Sequence, residues 1–266
     1  MSDQHHTVEE LSQFAQDVVR KAGDMAMEYY GKGRHQVKFD EGLVTETELR
    51  LNDFFRGELA GRFPEHQVLT SRQVSESYTH DSTRYLWIFD PLEGVANVQA
   101  GIPIWGISMA LVENFWPVLG AFYMPVTGDL FFGQAGDRAT RNGDTIGVSP
   151  QDTINDESLL LIYSRFHQNY RADFPGKIRN LGCTSAHLCY VAMGRAEGAV
   201  LYNESYQDLA AARVIIEAAG GQIAKADGSE FYLNEYLDKG RIPEHLIVSS
   251  SALVNQIGAT LQSVLE

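Results

Sequence analysis

Positive charge, cysteine and long apolar runs are what this 266-residue sequence has little of. Lysine and arginine number 21 against 35 acidic residues, giving a formal net charge of -14. No segment gathers the Lys/Arg cluster that a phosphate backbone requires, so no nucleic-acid partner is expected. No stretch approaches the ~18 apolar residues of a membrane span. The opening MSDQHHTVEE also lacks the basic and apolar regions of a secretory signal. A cytoplasmic protein without membrane contact is the expectation. The two cysteines, Cys183 and Cys189, share one apolar segment and form neither a disulfide framework nor a zinc spacing. They read as buried free thiols in a reducing compartment. The histidines at positions 35, 66, 80, 167, 187 and 245 make no metal-spaced pair, and His5 and His6 read as part of a disordered end.

What is present is the composition of a folded soluble chain, 44% hydrophobic and 21% charged. Thr7 and Glu10 form a capping-box pattern, after which Leu11, Phe14, Val18, Ala22, Met25 and Tyr29 repeat at helical spacing to a stop near Gly31. The segment beginning VKFDEG predicts a short strand, a turn at Glu41 and Gly42, and a second helix that Thr45 opens and that stops before Pro64. Glu48, three residues after Thr45, completes a second capping box, a reading favoured over metal ligation. Short apolar runs at 85–89, 107–112, 117–123 and 129–133 predict consecutive sheet strands, and Asn142-Gly143 a tight turn. Beyond residue 147, strands and helices alternate: SLLLIYS, Ser185 to Gly194, AEGAVLY, Asp208 to Ala219, HLIVSS and a C-terminal helix. That alternation predicts a layered α/β half, 148–266, fused to a sheet-rich half, 1–147.

One stretch concentrates the chemistry. In WIFDPLEG, Asp90 closes a strand, Pro91 forces a turn, and Glu93 and Gly94 precede a short helical run. The strand end thus presents two carboxylates at one mouth, the hard oxygen donors that Mg²⁺ takes. Asp208 stands at the start of a later helix closed by Gly220 and Gly221, where an Asp is more often a plain N-cap than a ligand. Amides of Gly94, Val95 and Ala96 at a helix start suit a phosphate.

Taken together, LVTETE, FPEHQVL, WIFDPLEG, GIPIWGIS, RNGDTIGVS, VAMGRAEG and QDLAAARVIIEAAGG, in this order and spacing, resemble the inositol monophosphatase family of Mg²⁺-dependent sugar-phosphate phosphatases. The resemblance runs along nearly the whole chain. It implies a layered αβαβα sandwich, a homodimer, metals held between the halves, and hydrolysis of a small phosphorylated metabolite such as a polyol or sugar phosphate. In that family, carboxylates of GEE, DPxDGT and WD motifs bind two or three Mg²⁺, and a Glu and a Thr orient the attacking water. Carried over, Asp90, the Leu92 carbonyl and Asp208 keep their metal roles. The second Asp becomes Glu93, the Thr becomes Val95, the GEE glutamates become Ser71 and Arg72, and the Trp becomes Gln207; the acid after LVT is Glu48.

These departures have physical consequences. Asp to Glu shifts a carboxylate by about 1.5 Å, one C–C bond, and Val95 has no hydroxyl to orient a water. Ser71 cannot act as the carboxylate base, whereas Arg72 can clamp a phosphate or pair with Glu93. Three readings follow: a weakened or altered Mg²⁺-dependent phosphomonoesterase using one ion or none, with Glu93 or Arg72 in the catalytic role; a non-catalytic homologue that binds a metabolite or protein; or a metal-independent reaction in the same pocket.

Overall fold

The computed structural model describes residues 6–33, 41–70, 85–114, 116–237 and 240–264. Helices α1 (Val8–Ala26) and α2 (Glu41–Arg62) come first, followed by strands β1 (Gln67–Thr70) and β2 (Tyr85–Glu93) and the short helix α3 (Val95–Ala100). Strands β3 (Gly106–Glu113), β4 (Trp116–Met124), β5 (Asp129–Gln134), β6 (Ala139–Arg141) and β7 (Asp144–Ile146) complete a seven-stranded sheet whose spatial order follows the chain. β1 lies parallel to β2, and each later neighbour is antiparallel. The Asn142-Gly143 turn joins β6 to β7 as the sequence predicts, with φ of 52° and 91°.

The second half contains β8 (Leu159–Ile162), α4 (Phe166–Asn169), β9 (Tyr170–Ala172), β10 (Lys177–Arg179), α5 (Thr184–Ala192), β11 (Gly198–Tyr202) and α6 (Tyr206–Ala218). It ends with β12 (Gly221–Lys225), β13 (His245–Ser250), α7 (Val254–Ala259) and β14 (Leu261–Ser263). Five of these strands form a mixed sheet in the order β10-β8-β11-β13-β12, and β14 pairs with β9.

Burial explains the layering. Along β2, Trp87 and Phe89 pack with α1 and α2, while Leu86 and Ile88 face α5 and α6 on the opposite side. Along β11, Ala199 and Leu201 join that same inner layer, while Val200 packs outward with Val254 and Ile257 of α7. Two sheets, each apolar on both faces, thus separate three helical layers in an αβαβα sandwich. Cys183 and Cys189 are buried free thiols within it.

Contact between layers is closest at α6. A Cβ on Gly120 of β4 would stand 2.2 Å from the Ala211 carbonyl oxygen, so only glycine lets this helix lie so near the sheet. The helix that carries Asp208 is thereby fixed against the sheet that carries Asp90.

The Thr7–Glu10 capping box opens α1, with the Glu10 amide donating to Thr7 Oγ1 at 3.2 Å. α1 stops at Ala26, and Gly31 closes the turn that follows. α2 departs from expectation. It begins at Glu41, so Gly42 lies in its first turn and Thr45 is an exposed interior residue rather than a cap. The cause is packing: Val44, Thr47, Leu51, Phe55 and Leu59 form one buried stripe, which draws in the turn preceding Thr45. The short strand expected at VKFDEG lies outside the described residues.

Candidate active site

In a regular strand residues 90 and 93 point to opposite faces, because side chains alternate. β2 breaks that rule. Asp90 pairs with Ser108 and Glu93 with Gly106, so Pro91 and Leu92 together oppose Ile107 alone. This bulge inserts one residue and brings Asp90 and Glu93 to one side, where both line a cavity of about 280 Å³. The Leu92 amide donates to Asp90 Oδ1 at 3.2 Å. Gly94 then turns the chain into α3 with φ of 76°, a conformation costly for other residues, and a Cβ there would meet Cys183 Cβ and the Ile104 carbonyl at 3.1 Å.

The other half of the chain supplies the opposite wall. Asn97 of α3 donates through Nδ2 to the carbonyls of Ile104 (2.5 Å) and Leu181 (2.8 Å), tying the bulge to the segment that enters α5. Gly182, Cys183, Thr184, Glu204 and Asp208 complete the lining. Asp208 is not the cap of α6. Ser205 holds that position because its hydroxyl accepts the Asp208 amide at 3.2 Å, while Asp208 Oδ2 reaches back to the Ser205 amide at 2.7 Å. The same Oδ2 accepts Arg241 Nη1–H at 2.8 Å, and that Nη1 also donates to the Asn203 carbonyl at 3.1 Å.

Electrostatically the cavity is overloaded with acid. Burial pushes the Asp90 carboxyl up from its ordinary range, and the charges of Asp208 and Glu48 push it further, against the Leu92 amide and Arg241. Burial and then Asp90 raise Glu93, while hydrogen bonds from Ser108 and Ser185 oppose the rise. Ser185 donates from its amide to Glu93 Oε2 at 3.2 Å and from its hydroxyl to Oε1 at 2.7 Å. Burial, then Asp208, lifts Glu204 to about 8, although Thr184 Oγ1–H holds it at 2.9 Å.

Of the residues singled out in the sequence, Asp90, Leu92, Glu93, Gly94, Val95 and Asp208 are brought together around this cavity. Ala96 is exposed and outside its lining. Glu48, two turns into α2, is half-buried, and its charge acts on Asp90. Its place in mid-helix removes the capping-box reading. Ser71 and Arg72 lie outside the described residues. Glu204, Thr184 and Arg241 were missed: Glu204 lies just before Asp208 in the chain but in no motif, and only the fold carries Thr184 and Arg241 to this place.

Beside the acidic cavity lies a larger one of about 590 Å³, and the two share Gly182, Cys183, Thr184 and Glu204. Its lining includes Tyr163, Tyr202, Arg165, Gln168 and Asn180. Tyr202 is held in place by a stack on His245, with ring centroids 4.1 Å apart.

A third grouping has a different character. His6, Glu65 and His66 bring ligand atoms within 4.8 Å of one another, unlike any three cavity carboxylates among the described residues. His6 is therefore placed, bonded to Glu65 Oε1 at 2.6 Å, rather than lost in a disordered end. Trp87 Nε1–H donates to His66 Nδ1 at 3.0 Å, and burial pushes His66 down to about 4. The neutral ring then carries its proton on Nε2, which removes the atom that would face a metal.

With this geometry in view, comparison with known proteins is decisive. The model of the inositol monophosphatase family matches residues 7–255. The chain belongs to the inositol monophosphatase family. Inositol monophosphatase 3 of Solanum lycopersicum is 30% identical over 246 residues, spanning 86% of this chain and 91% of that one. A fructose-1,6-bisphosphatase/inositol-1-monophosphatase of Thermotoga maritima is 26% identical over 255 residues, spanning 92% and 97%. Among solved structures, a Thermotoga maritima IMPase superposes with a TM-score of 0.78 at 24% identity, covering 95% of this chain and 96% of that one, and supports the fold. Phosphatase function is thus established at the level of the inositol monophosphatase family.

Proposed function

We propose that this chain is a Mg²⁺-dependent phosphomonoesterase of a small polyol or sugar phosphate, with turnover well below what an undamaged site of its family would support. The observation that carries the reading is the convergence of Asp90, Glu93, Glu204 and Asp208, from both halves of the chain, on one cavity that opens beside a larger one. Burial and neighbouring acid raise Asp90, Glu93 and Glu204, and such a donor set is one that a divalent cation relieves. The oxygen-only chemistry fits Mg²⁺, usually held by one or two carboxylates with substrate phosphate and waters completing the shell. Asp90, the Leu92 carbonyl and Asp208 would hold such an ion. When bound, it supplies charge neutralisation and Lewis-acid polarisation of phosphate oxygens.

The chain's own groups do the remaining work. Glu48 adds negative potential from α2, and Gly94 and Val95, at a helix start that lines the cavity, would offer their amides to the phosphate. Tyr163, Tyr202 and Asn180 offer a ring-faced, polar seat to the leaving group. Two features support reduced turnover. Both Glu93 oxygens are engaged by Ser185, which lowers their availability as a base or ligand, and Val95 offers no hydroxyl to orient a water.

A second reading, a metabolite-binding homologue without turnover, is favoured by the same engagement of Glu93. Initial rates of phosphate release from a panel of sugar and polyol phosphates, with and without Mg²⁺, separate the two. Slow Mg²⁺-dependent release that Asp90→Asn abolishes supports the phosphatase reading. Release unchanged in Asp90→Asn contradicts the proposed mechanism, and no release from any substrate supports the binding homologue.

A further inference from the structure

A cation is held at the rim of the acidic cavity, paired with one of the carboxylates that line it. Arg241 lies between the 3₁₀ segment Leu233–Tyr236 and β13, and its backbone is set by the next residue, whose amide donates to the Glu204 carbonyl at 2.7 Å. From there the guanidinium reaches Asp208 Oδ2 at 2.8 Å and the Asn203 carbonyl at 3.1 Å. Asp208 Oδ2 is consequently saturated, because the Ser205 amide also donates to it at 2.7 Å. Of the two carboxylate oxygens at α6, only Oδ1 is left to face a ligand. The side chains differ in exposure, 58% for Arg241 and 24% for Asp208, so the guanidinium borders solvent while the carboxylate forms part of the wall.

We infer that Arg241 is a built-in cation of this site: it supplies positive charge that the family resemblance assigns to additional metal ions, and it competes with a divalent ion for Asp208. The chemistry of the side chain agrees with this. An arginine stays charged at every accessible pH, so at the cavity rim it neutralises Asp208 under all conditions in which a divalent ion could bind. The consequence is a site whose positive charge is shared between the protein and a single bound ion.

The inference rests on the reading of the cavity as a divalent-cation seat, and the test separates the two. Mg²⁺ is titrated calorimetrically into the metal-free full-length wild-type protein and into Arg241→Gln and Arg241→Lys, with urea midpoints recorded to confirm folding. Wild type is expected to bind one Mg²⁺. Arg241→Gln is expected to bind it about tenfold more tightly, since removal of one charge beside a carboxylate changes affinity by roughly that factor. Arg241→Lys, which keeps the charge, is expected to stay near wild type. Equal affinities in wild type and Arg241→Gln overturn the role of Arg241 while leaving the cation seat intact. Equal tightening in Arg241→Lys and Arg241→Gln shows that charge is not the cause and also overturns it. No Mg²⁺ binding by any of the three overturns the seat and the inference together.

Discussion

At the scale of single residues, the site is shaped by what each side chain is already bonded to. Glu93 accepts from Ser185, Glu204 from Thr184, and Asp208 from Ser205 and Arg241, so every carboxylate that faces the cavity from these positions carries a protein partner. Such pairing makes buried acids tolerable, since an unpaired buried charge is very costly. His66 follows the same logic with the opposite sign. Burial holds it down at about 4 against an ordinary 6.5, and Trp87 donates to its unprotonated Nδ1. As pH falls through 6.5 the unfolded chain takes up a proton that the native ring refuses until about 4, so stability falls across that window and is flat below it. Between pH 7 and pH 5 this one group should remove about 1–2 kcal/mol. Urea unfolding at the two pH values is the check: His66→Gln, whose amide oxygen can still accept from Trp87, should lose less stability than wild type over that interval. An identical loss in both proteins would contradict the assignment.

At the scale of elements, much of the fold was legible and the site only partly so. Strands β2 to β5 announce themselves because each is an apolar or aromatic run closed by turn residues, and α1 because its capping box and periodicity agree. α2 was misjudged at its start because a Thr with Glu three residues later is a capping box only where the chain is not already helical. There the buried stripe beginning at Val44 decided the matter. The β2 bulge was invisible, because nothing in the local pattern says that Pro91 and Leu92 share one partner. Yet this bulge puts Asp90 and Glu93 on one side. Arg241 was invisible for another reason: 33 residues separate it from Asp208, and an arginine in a loop carries no periodic signal. The docking of α6 on β4 gives a prediction at this scale. Gly120→Ala forces a Cβ onto the Ala211 carbonyl and should cost about 2–3 kcal/mol by overpacking. A lowered urea midpoint with an unchanged slope is the expected result, and an unchanged midpoint would show that α6 shifts freely.

At the scale of the whole molecule, the sandwich has two sheets that share a middle layer of helices, and the acidic cavity opens where one strand end and the starts of α3, α5 and α6 meet. Neither half is sufficient: Asp90 and Glu93 come from the first, Glu204 and Asp208 from the second. The net charge of -14 is consistent with a chain that gathers carboxylates where a cation is needed. Among the described residues no helix is long and apolar enough to cross a membrane. The central claim is that the inositol monophosphatase scaffold is intact here and that its turnover is limited by a few groups around the cavity. Restoring those groups tests it most directly. Mg²⁺-dependent phosphate release by wild type should be compared with that of the double variant Glu93→Asp, Val95→Thr, which shortens the misplaced carboxylate and returns the hydroxyl. The account predicts a rise of about tenfold or more, a part of the ~10²-fold that misplacement on the order of 1 Å at a reacting centre can cost. A folded double variant that releases phosphate no faster than wild type would contradict it.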